Sequence, residues 1–578
     1  MAERTRRVVW WSGVAAAAAV LVVAGRAGAQ TSPVPPGSPL PSIMPAAPIT
    51  VGPGPALPPA AALVNTAPET PVRVRSVAVE GVSVYAPAVV AAMVGGLEGD
   101  AVPMARIEDV RLGLLRRYRN DGYPLVRVDS RLDRTGALRF VVTEGRIVDV
   151  KLDGDIGPVG SKVLGILKHL TEVTAIDVAT MERTLLLVQD IPGVSVQTVL
   201  RPSDTDPGAL TLIAQVKHTP VSGLVTADNR AFYKTGPDQA LAVMRVDSLT
   251  ALGERSEFSF YRSLLNPEQI FGQAAVEFLP GTTGLRVRLY GGAGNTLPCC
   301  DLHAIGYDGN TTVFGGEVSY PLIKARSQTL SLVGAFDATE SQVTSQRTTY
   351  DSTRVLRAGA DYALQDSVLG DGRPAVNLVS ARLSRGLSGP LLGASRNGDI
   401  DAGRTGERFD FTKFSGEVSR EQTLFVPWNG ATVSLLELVN GQVGNSPLPP
   451  AEQFYLGGAN FTRGFYSGEV AGDNAMAVTS ELRLNTGFDA TLFGHAFTVG
   501  SQFYGFYDWG QTWQNLATDK HSIVLRSLGG GVRLTVTRNV EIDVEGVARL
   551  TLNPTSAPSG AVKNLPAQAF YWRVLGRF

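Results

Sequence analysis

Few residues of this chain stand where chemistry could be done. The most conspicuous is Arg463, set in "FTRGFYSGEVAGD", residues 461–473, among small and aromatic neighbours on a glycine-rich stretch. An arginine so enclosed calls for an acid, because its planar fork pairs both oxygens of a carboxylate at once. Asp508, in "FYGFYDWGQTW", is such an acid. Strand parity there sets Tyr504, Phe506, Asp508 and Gly510 on one face and Phe503, Tyr507 and Trp509 on the other. If the arginine loop folds back against this strand, Arg463 reaches Asp508, with Gly510 leaving room and Phe506 shielding the contact.

Enzymatic chemistry finds no comparable footing. The sequence contains no G-x-S-x-G elbow, no phosphate-binding P-loop and no H-E-x-x-H. "KTG" at 234–236 has no S-x-x-K to accompany it, and the five histidines are scattered, which argues against a zinc centre. Cys299 and Cys300 are adjacent and are the only cysteines, so no disulfide framework supports the fold. These readings predict a protein that is not an enzyme and uses no metal or other cofactor. The formal net charge of −1 disfavours a nucleic-acid partner, which needs clustered basic charge.

Charged residues make up 18% of the chain, below the usual quarter, and no apolar run after residue 30 is long enough for a membrane helix. A large soluble β protein and a membrane β-barrel both fit that composition. The N-terminus bears on the choice. Arg4, Arg6 and Arg7 precede an apolar run and the small residues Ala27-Gly28-Ala29, which is the pattern of a secretory signal peptide over 1–29 or, failing cleavage, of an anchor. Residues 30–71 are rich in proline and alanine and read as a linker.

From Val72 the spacing predicts strand, helix, helix, strand, strand over 72–145, and the same order again over 146–219. Beyond 220 helical periodicity fades and alternating segments take over. In "SEFSFYRS", Phe258 and Phe260 oppose Glu257, Ser259 and Tyr261; in "VEIDVEGVARL", Val540, Ile542 and Val544 oppose Glu541, Asp543 and Glu545. Tight turns alternate with long Gly/Asn/Asp loops such as "GASRNGDIDAGRTGER". That is the pattern of an outer-membrane barrel over 220–578, apolar towards lipid and polar towards the lumen, and about sixteen strands can be counted. The acids on alternating strands then line a wet lumen.

With the arginine, its acid and the paired modules in view, the sequence resembles the two-partner secretion transporters of the haemolysin-activator and filamentous-haemagglutinin-transporter family, within the POTRA-bearing barrel superfamily. The resemblance spans about 72–578. The superfamily's arginine–glycine–aromatic motif on the sixth outer loop is matched by Arg463, Gly464 and Phe465. Its barrel-wall partner motif is matched by Phe506, Asp508 and Gly510. The resemblance implies a mainly β protein: a transmembrane antiparallel barrel in the bacterial outer membrane, preceded by two small α/β POTRA-like domains in the periplasm. It implies export of one large β-helical partner, an adhesin or haemolysin type of exoprotein, received unfolded by POTRA edge strands and helices. A barrel-assembly or insertion factor of the same superfamily is the alternative; such factors commonly carry more than two POTRA modules. Family members often begin with a helix that plugs the barrel, and the proline-rich 31–72 segment departs from that pattern.

Overall fold

The computed structural model describes residues 64–264, 268–389, 391–492, 495–516, 522–554 and 565–578. The signal peptide read at 1–29 and most of the 30–71 linker lie outside these residues. In the first module, "VRVRSVAVEG" is two strands, not one: β1 (Pro71–Val74) and β2 (Ser76–Glu80) part at Arg75. Helix α1 (Pro87–Val94) opens on a proline, whose fixed φ suits a first turn. A short β3 (Gly99–Pro103), not anticipated between the helices, pairs with β1, and α2 (Met104–Asn120) follows. Strands β4 (Arg127–Leu132) and β5 (Ala137–Thr143) complete a three-stranded sheet ordered β2-β5-β4. Leu114, Tyr118, Leu138 and Phe140 fill the space between helix and sheet.

The second module repeats that plan. Strand β6 (Arg146–Asp153) runs parallel to β8 (Ala209–His218), and β7 (Val194–Pro202) lies antiparallel on its other side. Helices α3 (Val159–Leu167) and α4 (Val178–Gln189) cover the sheet, with Val163, Leu167, Leu185 and Leu212 buried between. Asp177 caps α4 by accepting the Thr180 N–H at 2.8 Å. Two backbone bonds stitch the modules together: Ile176 N–H donates to the Gly145 carbonyl at 3.0 Å and Val178 N–H to Gly122 at 2.9 Å.

The remainder is a closed sixteen-stranded antiparallel barrel. Its first half comprises β9 (Val221–Asp228), β10 (Gln239–Asp247), β11 (Arg255–Ser263), β12 (Gln269–Phe278), β13 (Arg286–Thr296), β14 (Asp308–Lys324), β15 (Gln328–Thr344) and β16 (Thr349–Asp366). The second half begins with β17 (Ala375–Gly386), β18 (Thr412–Phe425) and β19 (Thr432–Gly444). Two three-residue strands, β20 (Phe454–Leu456) and β21 (Val470–Gly472), pair outside the barrel wall. The wall resumes with β22 (Asn474–Leu492), β23 (His495–Trp513), β24 (Ser522–Thr537), β25 (Val540–Arg549) and β26 (Gln568–Arg577). Strand β26 closes onto β9, from Arg573 opposite Asp228 to Arg577 opposite Leu224. Closure pairs every strand and removes the sheet edge.

Which way each wall residue faces follows from the period of two. Phe258 is 55% exposed and its neighbour Glu257 is buried; Leu289, Leu356, Leu383 and Phe570 are likewise exposed on the outside. An outward band of large apolar side chains around the whole cylinder is a lipid-facing surface. No described helix is long and apolar enough to cross a membrane. The lumen face is charged but paired: Arg245 with Glu257, Arg286 with Glu277, Arg382 with Asp361.

The second module is docked onto one rim, called here the near rim. Lys162 Nζ donates to the Leu279 and Gly281 carbonyls (2.6 and 2.9 Å), Arg183 Nη2 to the Pro321 carbonyl (2.9 Å), and Lys324 pairs with Asp190 at 2.8 Å. These contacts engage the near-rim turn after β12 and the near-rim end of β14; Ser248 Oγ, after β10, adds a bond to the Pro192 carbonyl at 2.6 Å.

In the first module Glu144 is a buried staple. Its carboxylate accepts the Ser83 and Val84 N–H groups (3.0 and 3.2 Å), the Ser83 hydroxyl, and the Tyr118 hydroxyl at 2.6 Å. Burial pushes its pKa up, and these hydrogen bonds together more than offset that, leaving it below the usual carboxylate value. Glu144→Ala strands a buried tyrosine hydroxyl and two amides, a loss of about 1–3 kcal/mol. Hydrogen exchange over 81–86 and 104–120 is expected to speed up correspondingly, with the barrel strands unchanged.

Candidate functional site

The chain between β19 and β22, residues 445–473, is the sixth loop of the far rim, and it turns back into the lumen. Its root is pinned by charge. Glu452 takes Arg357 at 2.7 Å and Lys413 at 2.7 Å from the wall. Asp473 takes both Nη atoms of Arg404, from the fifth far-rim loop, at 2.5 and 3.1 Å, and also accepts the Leu448 N–H at 2.9 Å. The pair β20–β21 stiffens the stem, and Phe454, Leu456, Phe461 and Phe465 pack together with Leu525 of the wall.

At the tip Thr462 holds a φ of +51°. A β-branched residue seldom adopts this conformation, and it persists where surrounding bonds over-determine it. Here they do: the Thr462 Oγ1 accepts the Gly457 N–H at 2.9 Å, and the Thr462 carbonyl accepts the Phe465 N–H at 3.0 Å. The turn so formed presents Arg463 to the wall.

Arg463 is 5% exposed and Asp508 0%. The Arg463 backbone N–H donates to Asp508 Oδ2 at 2.8 Å, Nε to the same oxygen at 3.0 Å, and Nη2 to Oδ1 at 3.0 Å. The predicted forked pair is therefore present, with a main-chain bond added. The guanidinium lies 3.6 Å from the centroid of the Phe506 ring, so Phe506 covers the contact and contributes a cation–π interaction. Gly510 does leave room, but for other groups: a Cβ there would stand 2.9 Å from the side chains of Leu456 and Thr462. Gly464 is needed for close approach, since a Cβ would stand 2.6 Å from that of Ser527. Its N–H donates to Ser527 Oγ (3.2 Å), and its carbonyl accepts Arg549 Nε (2.5 Å) and the Tyr571 hydroxyl (3.0 Å). Phe465 anchors the apolar side of the tip, wholly buried.

Sequence reasoning missed the second acid. Glu481 on β22 takes Arg463 Nη1, and it also takes Arg483 Nε at 2.7 Å and Arg533 Nη1 at 2.8 Å. One buried carboxylate is thus shared by three guanidinium groups. Arg533 stacks 3.8 Å from the Tyr504 ring centroid, and the Tyr504 hydroxyl donates to Asp543 and Glu545 at 2.9 and 2.8 Å. Arg230, just beyond β9, donates to Glu545 at 2.6 Å and to the Arg463 carbonyl at 2.9 Å. The tip is thereby tied to β22, β23, β24, β25, β26 and the end of β9. Alternation had marked Glu541, Asp543 and Glu545 as lumen-facing; nothing in the spacing said that Glu481 and Arg533, far apart in sequence, would converge.

Beside the tip a cavity of about 250 Å³ opens, lined by Glu417, Leu436, Thr479, Gln502, Asp543 and Arg573 among others. Among the described residues no cluster of three or more His, Cys, Asp or Glu could hold a metal ion. Cys299 is disulfide-bonded.

A family model described as haemolysin secretion/activation protein ShlB/FhaC/HecB matches residues 210–534, and one for the ShlB-type POTRA domain matches residues 72–145. Among solved structures, CdiB from Escherichia coli superposes with a TM-score of 0.69 at 18% identity, covering 88% of this chain and 91% of that one. CdiB from Acinetobacter baumannii gives 0.60 at 15% identity, with 91% and 94% covered. At such identities the likeness is one of fold. No curated protein matches the chain. The first family model spans more than half of the sequence and the fold agrees with it, so the chain belongs to the haemolysin secretion/activation (ShlB/FhaC/HecB) family: a two-partner secretion transporter, with its barrel in the outer membrane and its POTRA region in the periplasm.

Proposed function

We propose that this transporter binds one large unfolded exoprotein on the edge strands and helices of its POTRA modules, at 72–145 and 146–219, and passes it through the barrel of 220–578 to the cell surface. The observation that carries this reading is the arrangement at the two rims. A POTRA module is hydrogen-bonded onto the periplasmic rim, and the polar lumen above it is crossed by a loop held through side-chain charge instead of a backbone ladder. An extended client can add a strand to an open sheet edge without folding first. A loop held by side chains can be displaced while the wall stays closed. The client suited to such a route is a β-helical exoprotein of adhesin or haemolysin type, able to fold strand by strand as it emerges. An assembly factor for other barrels is the second reading, favoured by the shared superfamily architecture. Removing the protein is expected to strand its exoprotein in the periplasm while other outer-membrane barrels keep their abundance; depletion of those barrels with normal secretion would sink the export reading.

Arg463, Gly464, Phe465, Phe506, Asp508 and Gly510 we assign as the lock between loop and barrel wall, with Glu481 added. Truncating one partner of a buried ion pair costs about 3–5 kcal/mol, since the remaining charge stays buried and unpaired. Arg463→Ala leaves Asp508 in that state, whereas Glu481 keeps Arg483 and Arg533. The substitution is expected to lower secretion several-fold at near-normal barrel abundance, measured by quantifying exported client against folded, heat-modifiable barrel. Arg463→Lys keeps the charge and loses the fork, and should fall between. Equal loss of barrel and secretion would leave bracing as the lock's whole role.

The shared acid changes what a charge exchange can do. Moving an aspartate to 463 and an arginine to 508 places the new acid against Glu481, so the exchange alone is expected not to restore secretion. Adding Glu481→Gln to the exchanged pair removes that repulsion, and partial recovery in the triple variant is the expected outcome.

A further inference from the structure

The fifth outer loop, residues 387–411, lies over the surface end of β16 and holds two acids in an unusual setting. Glu407 is 3% exposed and Asp351, near the start of β16, is also buried. Their carboxyl groups face each other within hydrogen-bonding reach. Asp351 Oδ1 accepts the Gly403 N–H at 2.8 Å, and Glu407 Oε1 accepts the Arg404 N–H at 3.2 Å. Glu407 Oε2 is buried with no partner among ordinary donors. Neither acid has a cation within salt-bridge distance among the described residues.

The charged groups nearby are already engaged. Arg404, on the same loop, spends both Nη atoms on Asp473. Arg347, from the fourth outer loop, donates to the Ala402 carbonyl at 2.9 Å. Arg354 of β16 pairs with Glu340 of β15, and Asp401 adds a further negative charge near Asp351. From the seventh outer loop the packing neighbour is Leu516, against Gly406. Two buried carboxylates face to face without a cation cannot both ionise cheaply, and a proton between them turns repulsion into a hydrogen bond.

We propose that Asp351 and Glu407 share one proton and act as a clasp that holds the fifth outer loop against the barrel mouth, loosening as the external pH rises. The clasp sits three residues from Arg404, whose bidentate pair with Asp473 ties the same loop to the root of the sixth. Slackening the fifth loop therefore weakens a support of the loop that carries Arg463.

Burial first, and then the Asp351 charge, push the Glu407 pKa up to about 9. A carboxyl in the freed loop titrates near 4.3. Because the closed state holds the proton more tightly, closure is strongest below about pH 4 and is lost as pH rises through about 9.

The test is hydrogen exchange of residues 396–411 in the full-length protein in lipid nanodiscs, corrected for intrinsic rates, between pH 6 and 9.5. Protection in the wild type is expected to fall about tenfold or more across that range, about 1.4 kcal/mol for each factor of ten. Glu407→Gln, which keeps a hydrogen-bond donor without a titrating proton, should hold its protection constant with pH, whereas Asp351→Asn, which removes the facing charge but leaves Glu407 buried, should reduce the fall without abolishing it. Wild-type protection that is flat with pH, or a Glu407→Gln profile that falls in parallel with the wild type, would overturn the clasp. Loss of protection in the variants at every pH, with β14–β17 exchanging normally, would also overturn it, because the proton would then not be what holds the loop.

Discussion

A loop whose only regular structure is a pair of three-residue strands lies inside a membrane cylinder because a buried guanidinium meets two carboxylates. That contact fixes where the tip of the loop sits. Backbone ladders cannot hold the loop in place, since the wall strands spend their own hydrogen bonds on one another and closure leaves no edge to pair with. What remains is side-chain chemistry. Charge in a lumen walled by protein is screened less than at a surface, so each contact counts for more. The same setting makes an unmatched charge costly, and the cluster is accordingly built in balance: Arg230, Arg463, Arg483 and Arg533 stand against Asp508, Glu481, Asp543 and Glu545.

Balance has a consequence for motion. A single isolated pair would either hold or fail. Glu481, shared among Arg463, Arg483 and Arg533, offers a graded alternative: if Arg463 leaves, two guanidinium groups remain to compensate the acid. Asp508 has no such reserve, because its described partners all belong to Arg463. Desolvation therefore falls mainly on Asp508 and on the arginine when the loop withdraws, and a passing polar backbone or water can satisfy an exposed carboxylate. Without Arg463 the acid on β22 stays paired and the acid on β23 does not.

Much of this was legible in the sequence, and the physical reason is periodicity. Alternation alone sorted Phe258 from Glu257 and Phe260 from Ser259, because in a barrel each wall residue has one of two fates. Parity likewise put Asp508 and Phe506 on the lumen face, and glycine with aromatic neighbours marked Arg463 as enclosed. What escaped was convergence across strands. Glu481 and Asp508 sit on adjacent strands with registers offset by two pairs, Glu481 opposite Phe506 and Asp508 opposite Thr479. That offset comes from the pairing register of β22 with β23, which single-strand patterns do not record. For the same reason "VRVRSVAVEG" read as one strand: its alternation continues smoothly through Arg75, and only pairing with two different partners, β3 and β5, divides it.

The docking of the second module completes the asymmetry. Its contacts fall on the turns after β10 and β12 and on the near-rim end of β14, all in the first half of the barrel, and they are made largely to backbone carbonyls by Lys162, Arg183 and Ser248. The tip of the sixth loop is bound to the opposite half, β22 to β26. On the proposed route a client handed up from the POTRA sheets enters beside a wall stiffened by the module and meets, across the lumen, a loop fastened mainly through side chains, with the Arg463 and Ser467 N–H groups adding bonds to Asp508 and to the Arg230 carbonyl. The module is bonded to its half of the barrel largely through backbone carbonyls, whereas the tip of the sixth loop rests on charged contacts that client or water can replace. Under the proposed export route the loop faces the arriving chain, so the energy that opens the path can come from the client's own contacts.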